Sequence, residues 1–371
     1  MTHLKIGIDA RLAFRRGVGT YVAQLIQALA ALESRHQFFI FNAPEELKKR
    51  INQPSFDFIQ IKKIQPAYYE QVQLPRLAQS LKLDGLHYVD NSAPIGGITP
   101  FVVTLHDTMF LRPLSEVRPR ATWYQRLSDY YRKWVIPRGA KKARLVLTIS
   151  QFSKNEIIEK LAISEKQIKV IAEGVDRSQF PPRRFRTKRS KIPQLLIQGA
   201  SDSRKNVATI LKTLQWLKQR NYSMSLKVIG MDQKELQKTD YPRQAYQLGI
   251  ASQVQWLGWV ESSRLAQLYA ESDIFVYPSK WEGFGLPVLE SFACGTPVIT
   301  SQTTSLPEVA GEAALLVDPE SPESIGQAIL KIIQHPAMRR HLVQKGFRRL
   351  RLFSWHHTAC QTLLAYQEAF Q

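Results

Sequence analysis

Short apolar runs alternate with amphipathic stretches along almost the whole chain. In the first half, residues 4–9, 37–42, 101–106 and 145–150 carry strand-like runs, while 21–32, 123–134 and 152–161 repeat apolar positions with helical spacing. A second series starts after a break and runs 194–199, 226–230, 254–257, 274–277, 297–300 and 314–317, again separated by helical segments. This is the pattern of parallel strands covered by helices on both faces. The restart predicts two doubly wound α/β domains. The break is marked by Phe180-Pro181-Pro182 followed by Arg183, Arg184, Arg186, Lys188, Arg189 and Lys191, a stretch too rich in charge to enter a core. Residues 1–182 therefore form the first domain, 183–192 a basic linker, and the second domain begins at 193. No tandem repeat of solenoid period and no long low-complexity segment interrupts this plan.

Composition narrows the class. A chain of 371 residues with 44% hydrophobic content suits two globular domains. No stretch approaches the ~20 apolar residues that span a bilayer. Residues Met1 to Lys5 lead straight into a strand pattern, which predicts a cytoplasmic chain with no secretion leader. The two cysteines, Cys294 and Cys360, lack zinc or redox spacing and read as reduced thiols. A formal net charge of +20 attracts anions at long range, whether nucleic acid, acidic lipid or phosphorylated small molecules.

In an open parallel sheet, ligands bind outside the carboxyl ends of the strands, so polar residues there are the first candidates. Gly17 and Gly19 follow the opening strand and lead into a helix, where backbone amides can approach a phosphate; shaping the turn is the competing reading. His106, with Asp107, ends a strand and can donate to a hydroxyl or share a proton near neutral pH, or serve as a hydrogen-bonded core histidine. Arg204 and Lys205 close the loop after 194–199, where two cations can stabilise a departing diphosphate without a metal; a solvated surface pair is the plain alternative. Glu282 lies in the loop after 274–277, followed by Gly283, Phe284, Gly285, Leu286 and Pro287, with Glu290 on the early helix. Pro287 suits a first helical turn, leaving the preceding amides available. Glu282 is placed to meet a sugar, and Glu290 to accept hydrogen bonds from ribose hydroxyls.

Taken together, GVGTY, the His106-Asp107 pair, TISQFS at 148–153, EGVD at 173–176, RKN at 204–206, the paired glutamates and the ending Phe353-Ser354-Trp355 resemble, in order, the motifs of glycosyltransferase family 4. The likeness covers nearly the whole chain. It implies a GT-B fold: two facing Rossmann-like domains, a donor cleft between them, the donor domain at 193–353, and a C-terminal helix at 354–371 packing back on the first. By resemblance, Arg204 and Lys205 hold the donor diphosphate, Glu290 the ribose, and Glu282 the transferred sugar, beside the amides of Gly283, Phe284, Gly285 and Leu286. Gly17 and Gly19 would lie under the donor phosphates and His106 near the sugar. The implied reaction is metal-independent and cofactor-free. It transfers a mannose-like or glucose-like hexose, with retention, from a GDP- or UDP-sugar to a glycan or lipid-linked acceptor in surface polysaccharide or lipopolysaccharide assembly. Two departures stand out: Ala200 replaces an arginine common in relatives, and Glu173 replaces an asparagine at the expected hinge. Base recognition is expected around Gly230 and Val260.

A nucleotide-sugar epimerase or a phosphorylase fits the same fold, and a non-enzymatic nucleotide-binding protein fits the charge. A dinucleotide dehydrogenase fits poorly, because the first loop lacks GxGxxG. The stretch 112–144 interleaves Arg118, Arg120, Arg126, Arg132, Lys133, Arg138, Lys141 and Lys142 with Trp123, Tyr124, Tyr130, Tyr131 and Trp134, opposed by Glu116 and Asp129. Peripheral binding to an anionic inner membrane face is one use of that mixture, and packing of the rings into the first domain is the other. No nucleic-acid module accompanies the basic residues, and none is expected as a partner.

Overall fold

The computed structural model describes residues 3–15, 17–62, 65–97, 99–113, 122–182 and 192–371. The chain divides into two compact units, Met1–Gly174 with Ser354–Gln371, and Val175–Phe353. Residues 183–191 of the expected linker, together with Glu116, Arg118 and Arg120, lie outside the described residues.

The first unit is built on a seven-stranded parallel sheet, ordered β3-β2-β1-β4-β5-β6-β7. Its strands are β1 (Lys5–Asp9), β2 (Gln37–Phe41), β3 (Phe56–Ile59), β4 (Gly85–Tyr88), β5 (Phe101–Thr104), β6 (Leu145–Thr148) and β7 (Ile168–Val170). Val103, Val146, Leu86 and Tyr88 pack with Ile136 and Ala140 of helix Trp123–Lys142 and with Ile157 and Leu161 of helix Gln151–Leu161. Helix Trp123–Lys142 runs two turns beyond the expected end and through Pro137, because buried Val135, Ile136, Gly139 and Ala140 hold its last turns on the core. The terminal helix Trp355–Phe370 belongs to this unit. Tyr366 is hydrogen-bonded to His87 at 2.6 Å, Thr358 Oγ1 donates to the Ala172 carbonyl at 2.8 Å, and Lys169 pairs with Glu368.

Three strands escape the sequence pattern. β3 (FDFI) alternates on the sheet edge, β7 has only three residues, and β4 (GLHY) carries a buried histidine whose ring is satisfied by Tyr366 and Thr104.

The second unit has six parallel strands, ordered β10-β9-β8-β11-β12-β13. They are β8 (Gln194–Gln198), β9 (Ser225–Ile229), β10 (Val254–Gly258), β11 (Ile274–Tyr277), β12 (Val298–Ser301) and β13 (Ala314–Val317), one for each expected run. Leu195, Ile197, Val228, Ile274, Val276 and Ile299 meet Ile210, Leu214 and Leu217 from one helix and Ile325, Ile329 and Ile332 from another. Both triplets follow the i, i+4, i+7 spacing of a buried helical stripe. Each such side chain contributes about 1.5–3 kcal/mol by leaving water.

The expected boundary at 182 moves to 174/175. Phe180, read from the sequence as a boundary marker, is buried in the second unit with its ring edge-on to Tyr269, and the Val175 amide bonds the Phe353 carbonyl. Proline pairs mark where secondary structure stops, which here is not where packing stops.

Candidate functional site

Strand order reverses between β8 and β11 in the second unit, and the loops that follow these two strands carry the cationic and acidic candidates. After β8, Asp202 caps the short turn Ser203–Lys205 by accepting from the Arg204 amide at 3.0 Å. Its other oxygen accepts from Arg204 Nε at 2.7 Å and faces Nη2 at 2.6 Å, fixing the guanidinium within the loop. Asn206 adopts a left-handed conformation and donates to the carbonyls of Pro278 and Pro319, at 3.0 and 2.6 Å. The Arg204 carbonyl accepts from Ser279 Oγ and from the Lys280 amide. The loops after β8 and β11 are thereby tied together.

At their meeting point Lys205 Nζ donates to Glu282 Oε1 at 2.7 Å and to Tyr277 Oη, and Glu282 also accepts from Ser279 Oγ at 2.6 Å and Tyr277 Oη at 2.8 Å. Burial pushes the Glu282 carboxyl up, but the Lys205 charge and these hydrogen bonds outweigh it and hold the group below the ordinary carboxylate range. Ser305 Oγ pins the carbonyls of Glu282 and Phe284, and Thr304 accepts from the Glu282 amide. Gly285, at φ 130°, turns the chain into helix Leu286–Ala293, which has Pro287 in its first turn. That turn shows no side-chain cap. Glu290 is one turn on. It accepts from Tyr269 Oη at 3.0 Å, and burial raises its pKa to about 7, against the pull of that hydrogen bond and of Lys205. Arg204, Lys205, Glu282, Gly283, Phe284, Gly285, Leu286 and Glu290 thus gather in one unit.

Gly17, Gly19 and His106 lie in the first unit. Gly17, at φ 73°, precedes helix Val18–Ala31. A Cβ on Gly19 would stand 2.3 Å from the Leu12 carbonyl oxygen, so that turn closes only on glycine. Tyr21, from the same helix, meets the His106 ring edge-on at 4.7 Å. His106 is buried, with Nε2 2.9 Å from the Val89 carbonyl and Nδ1 3.7 Å from Glu173. Burial lowers its pKa, but the carboxylate of Glu173 reverses the balance and the ring binds its proton more tightly than usual. Two residues singled out separately in the sequence, His106 and Glu173, are therefore one pair.

A second cluster was missed. Asp9 ends β1, Asp90 follows β4, and these strands flank the place where the order of this sheet reverses. Arg11 Nε lies 3.0 Å from Asp9, while its Nη2 donates to Glu70 and reaches Asp90 at 3.4 Å. The guanidinium stacks on Tyr69, whose hydroxyl donates to Asp9 at 3.2 Å. Burial pushes Asp9 up to about 7 despite Arg11, with the charges of Asp90 and Glu70 adding to the rise, and burial likewise raises Glu70. The strand-end rule that found His106 and Glu282 also points to Asp9, Tyr277 and Ser279. Among the described residues, no group of three or more His, Cys, Asp or Glu has the geometry to hold a metal ion.

Comparison with known proteins agrees with this layout. Residues 15–179 match the family model described as Glycosyltransferase Family 4, and residues 180–349 match that described as Glycosyl transferases group 1. The chain is 31% identical over 279 residues to O-antigen chain mannosyltransferase B of Escherichia coli, spanning 72% of this chain and 70% of that protein. It is 30% identical over 280 residues to an MMP alpha-(1->4)-mannosyltransferase of Mycolicibacterium hassiacum, spanning 73% and 66%. A solved glycosyltransferase from Rickettsia africae superposes with a TM-score of 0.75 over 100% of both chains at 17% identity, which establishes the shared GT-B fold.

Proposed function

Because the chain belongs to glycosyltransferase family 4, we propose that it transfers a hexose, with retention of anomeric configuration, from a GDP- or UDP-sugar to a hydroxyl of a glycan or lipid-linked acceptor. Two mannosyltransferases among its relatives favour mannose, and the O-antigen enzyme favours surface polysaccharide or lipopolysaccharide assembly. In this reading the protein works on the cytoplasmic side of a membrane, where a lipid-linked acceptor is presented.

The observation that carries the proposal is the joining of Lys205 to Glu282, with Arg204 held by Asp202 in the same loop, at the reversal point of the second sheet. As the sugar–phosphate bond breaks, negative charge grows on the diphosphate. Cations already in place stabilise that charge without reorganisation. Lys205 enters the reaction held by Glu282 and Tyr277, so its ammonium is aimed before substrate arrives. Glu282, kept ionised by Lys205, has lone pairs left for a sugar hydroxyl. Glu290 accepts from the ribose, and ribose donors favour its ionised form, so nucleotide affinity should fall as pH drops below about 7. In this reading a donor phosphate oxygen receives the proton of the attacking hydroxyl, which enters on the face the leaving group vacates, and the anomeric configuration is retained.

With two cations serving the diphosphate, transfer should persist in excess chelator. Nuclear magnetic resonance of the product should give the anomer of the donor. Activity abolished by chelator and restored by magnesium or manganese would overturn the metal-free chemistry, and an inverted product would overturn the displacement proposed.

A further inference from the structure

Helix Trp123–Lys142 has two unlike halves. Val135, Ile136, Gly139 and Ala140 bury the second half against the first-unit core, but the first half carries large apolar side chains in water: Trp123 is 77% exposed, Tyr124 63%, Leu127 59%, Tyr130 71% and Trp134 46%. The alternative that the rings pack into the domain therefore fails for these side chains, while Tyr131 is half-buried with its hydroxyl inside. Trp123, Leu127, Tyr130 and Trp134 stand at i, i+4, i+7 and i+11, a single stripe along the helix. Contiguous exposed apolar surface of this kind marks an interaction site.

The charges choose the occupant. The helix bears Arg126, Arg132, Lys133, Arg138, Lys141 and Lys142 against one carboxylate, Asp129, which Lys133 already neutralises at 2.7 Å. Arg126 and Lys133, seven residues apart, run along one border of the stripe, while Gln125, Ser128, Asp129 and Arg132 form the opposite face. Arg138 lies over the Trp134 ring at 4.7 Å. A second copy of the chain docking here would set these cations against their own kind. A bilayer with anionic headgroups satisfies both features, because the rings enter the headgroup boundary while the cations meet lipid phosphates. Thr122 and Gln125 form a capping box that starts the helix without a tertiary contact, so the stripe is formed before it meets lipid. We propose that the first half of this helix is a membrane-docking surface for anionic lipid. The inference extends the reading of a lipid-linked acceptor by naming the surface that would bring the protein to it.

The test is sedimentation of the full chain with vesicles of phosphatidylcholine alone, or of phosphatidylcholine mixed with phosphatidylglycerol, alongside transfer to a water-soluble acceptor. Binding should require the anionic lipid, weaken with salt, and shift tryptophan emission to the blue. Trp123→Ser with Tyr130→Ser, or Arg126→Glu with Arg138→Glu, should each lower vesicle partitioning more than about tenfold. Melting temperature and transfer to the soluble acceptor should not change, because these side chains are exposed. Equal recovery with neutral and anionic vesicles, or unaltered partitioning in both variants, would overturn the proposal and leave the transferase reading standing. So would concentration-dependent self-association that the aromatic variant abolishes, which would assign the stripe to a second copy.

Discussion

Two partly buried charge clusters occupy equivalent places in the two sheets, each where strand order reverses, yet one is balanced in charge and the other is rich in carboxylates. In the second unit, Arg204 and Lys205 face Asp202 and Glu282, and the carboxyl of Glu282 is held below its ordinary range. In the first unit, Asp9, Glu70 and Asp90 share Arg11 alone, and Asp9 rises to about 7. The fold supplies the position in both cases and the side chains decide the chemistry. A balanced cluster can offer cations already held in place to an incoming phosphate. A carboxylate-rich one can accept from hydroxyls but has no spare cation, and it repels phosphate.

The largest expected effects separate the two clusters by kind. Arg11→Ala leaves three partly buried carboxylates without their cation and should cost about 3–5 kcal/mol of stability, measured by denaturant unfolding. Lys205→Ala should instead cost about 3 kcal/mol in the barrier, on the order of a hundredfold in kcat, with a smaller loss of stability. If Lys205→Ala unfolds the chain while Arg11→Ala folds normally and loses turnover, the contrast is reversed.

A smaller effect sharpens the comparison through pH. The Asp9 carboxyl keeps its proton in the folded protein up to about 7 but sheds it near its ordinary 3.8 when unfolded, so its contribution to stability falls as pH rises across that interval. Glu282 acts in the other direction, since its depressed value gives stability that is lost as pH falls through the acid range. Asp9→Asn should therefore flatten the decline of melting temperature between about pH 4 and 7. An unchanged profile would mean that Asp9 is not a proton-holding group. Smaller still, Glu290→Gln should weaken nucleoside diphosphate binding by about tenfold at pH 8 and remove its dependence on pH near 7.

What the sequence disclosed follows from the distance over which its signals act. In the second unit β8, β11, β12 and β13 hold near-continuous apolar runs, while β9 and β10 keep an apolar pair after Lys227 and Gln255, and all six appeared. β4 was hidden because His87 is made acceptable in a core by Tyr366, a residue far along the chain. Lys205, Glu282, Glu290 and His106 were legible because each sits at a strand end or the start of the helix that follows. Tyr277 and Ser279, which aim Lys205 and Glu282, occupy equally readable positions but lack the formal charge that drew attention there. The Arg11 cluster joins residues 59 and 79 positions apart, and no local periodicity records such a meeting. Exposure of the Trp123 stripe was also beyond the sequence, since core helices use the same spacing.

The central claim is that Arg204 and Lys205 form the diphosphate-binding element of a glycosyltransferase. Isothermal titration calorimetry of the wild-type chain and the Arg204→Ala/Lys205→Ala variant with UDP and GDP tests it most directly. Wild type should bind one of the two, and the folded variant should bind it at least about tenfold more weakly, as expected for the loss of charge-assisted contacts. Equal affinity in the two proteins, or no affinity of the wild type for either nucleotide, would contradict the account.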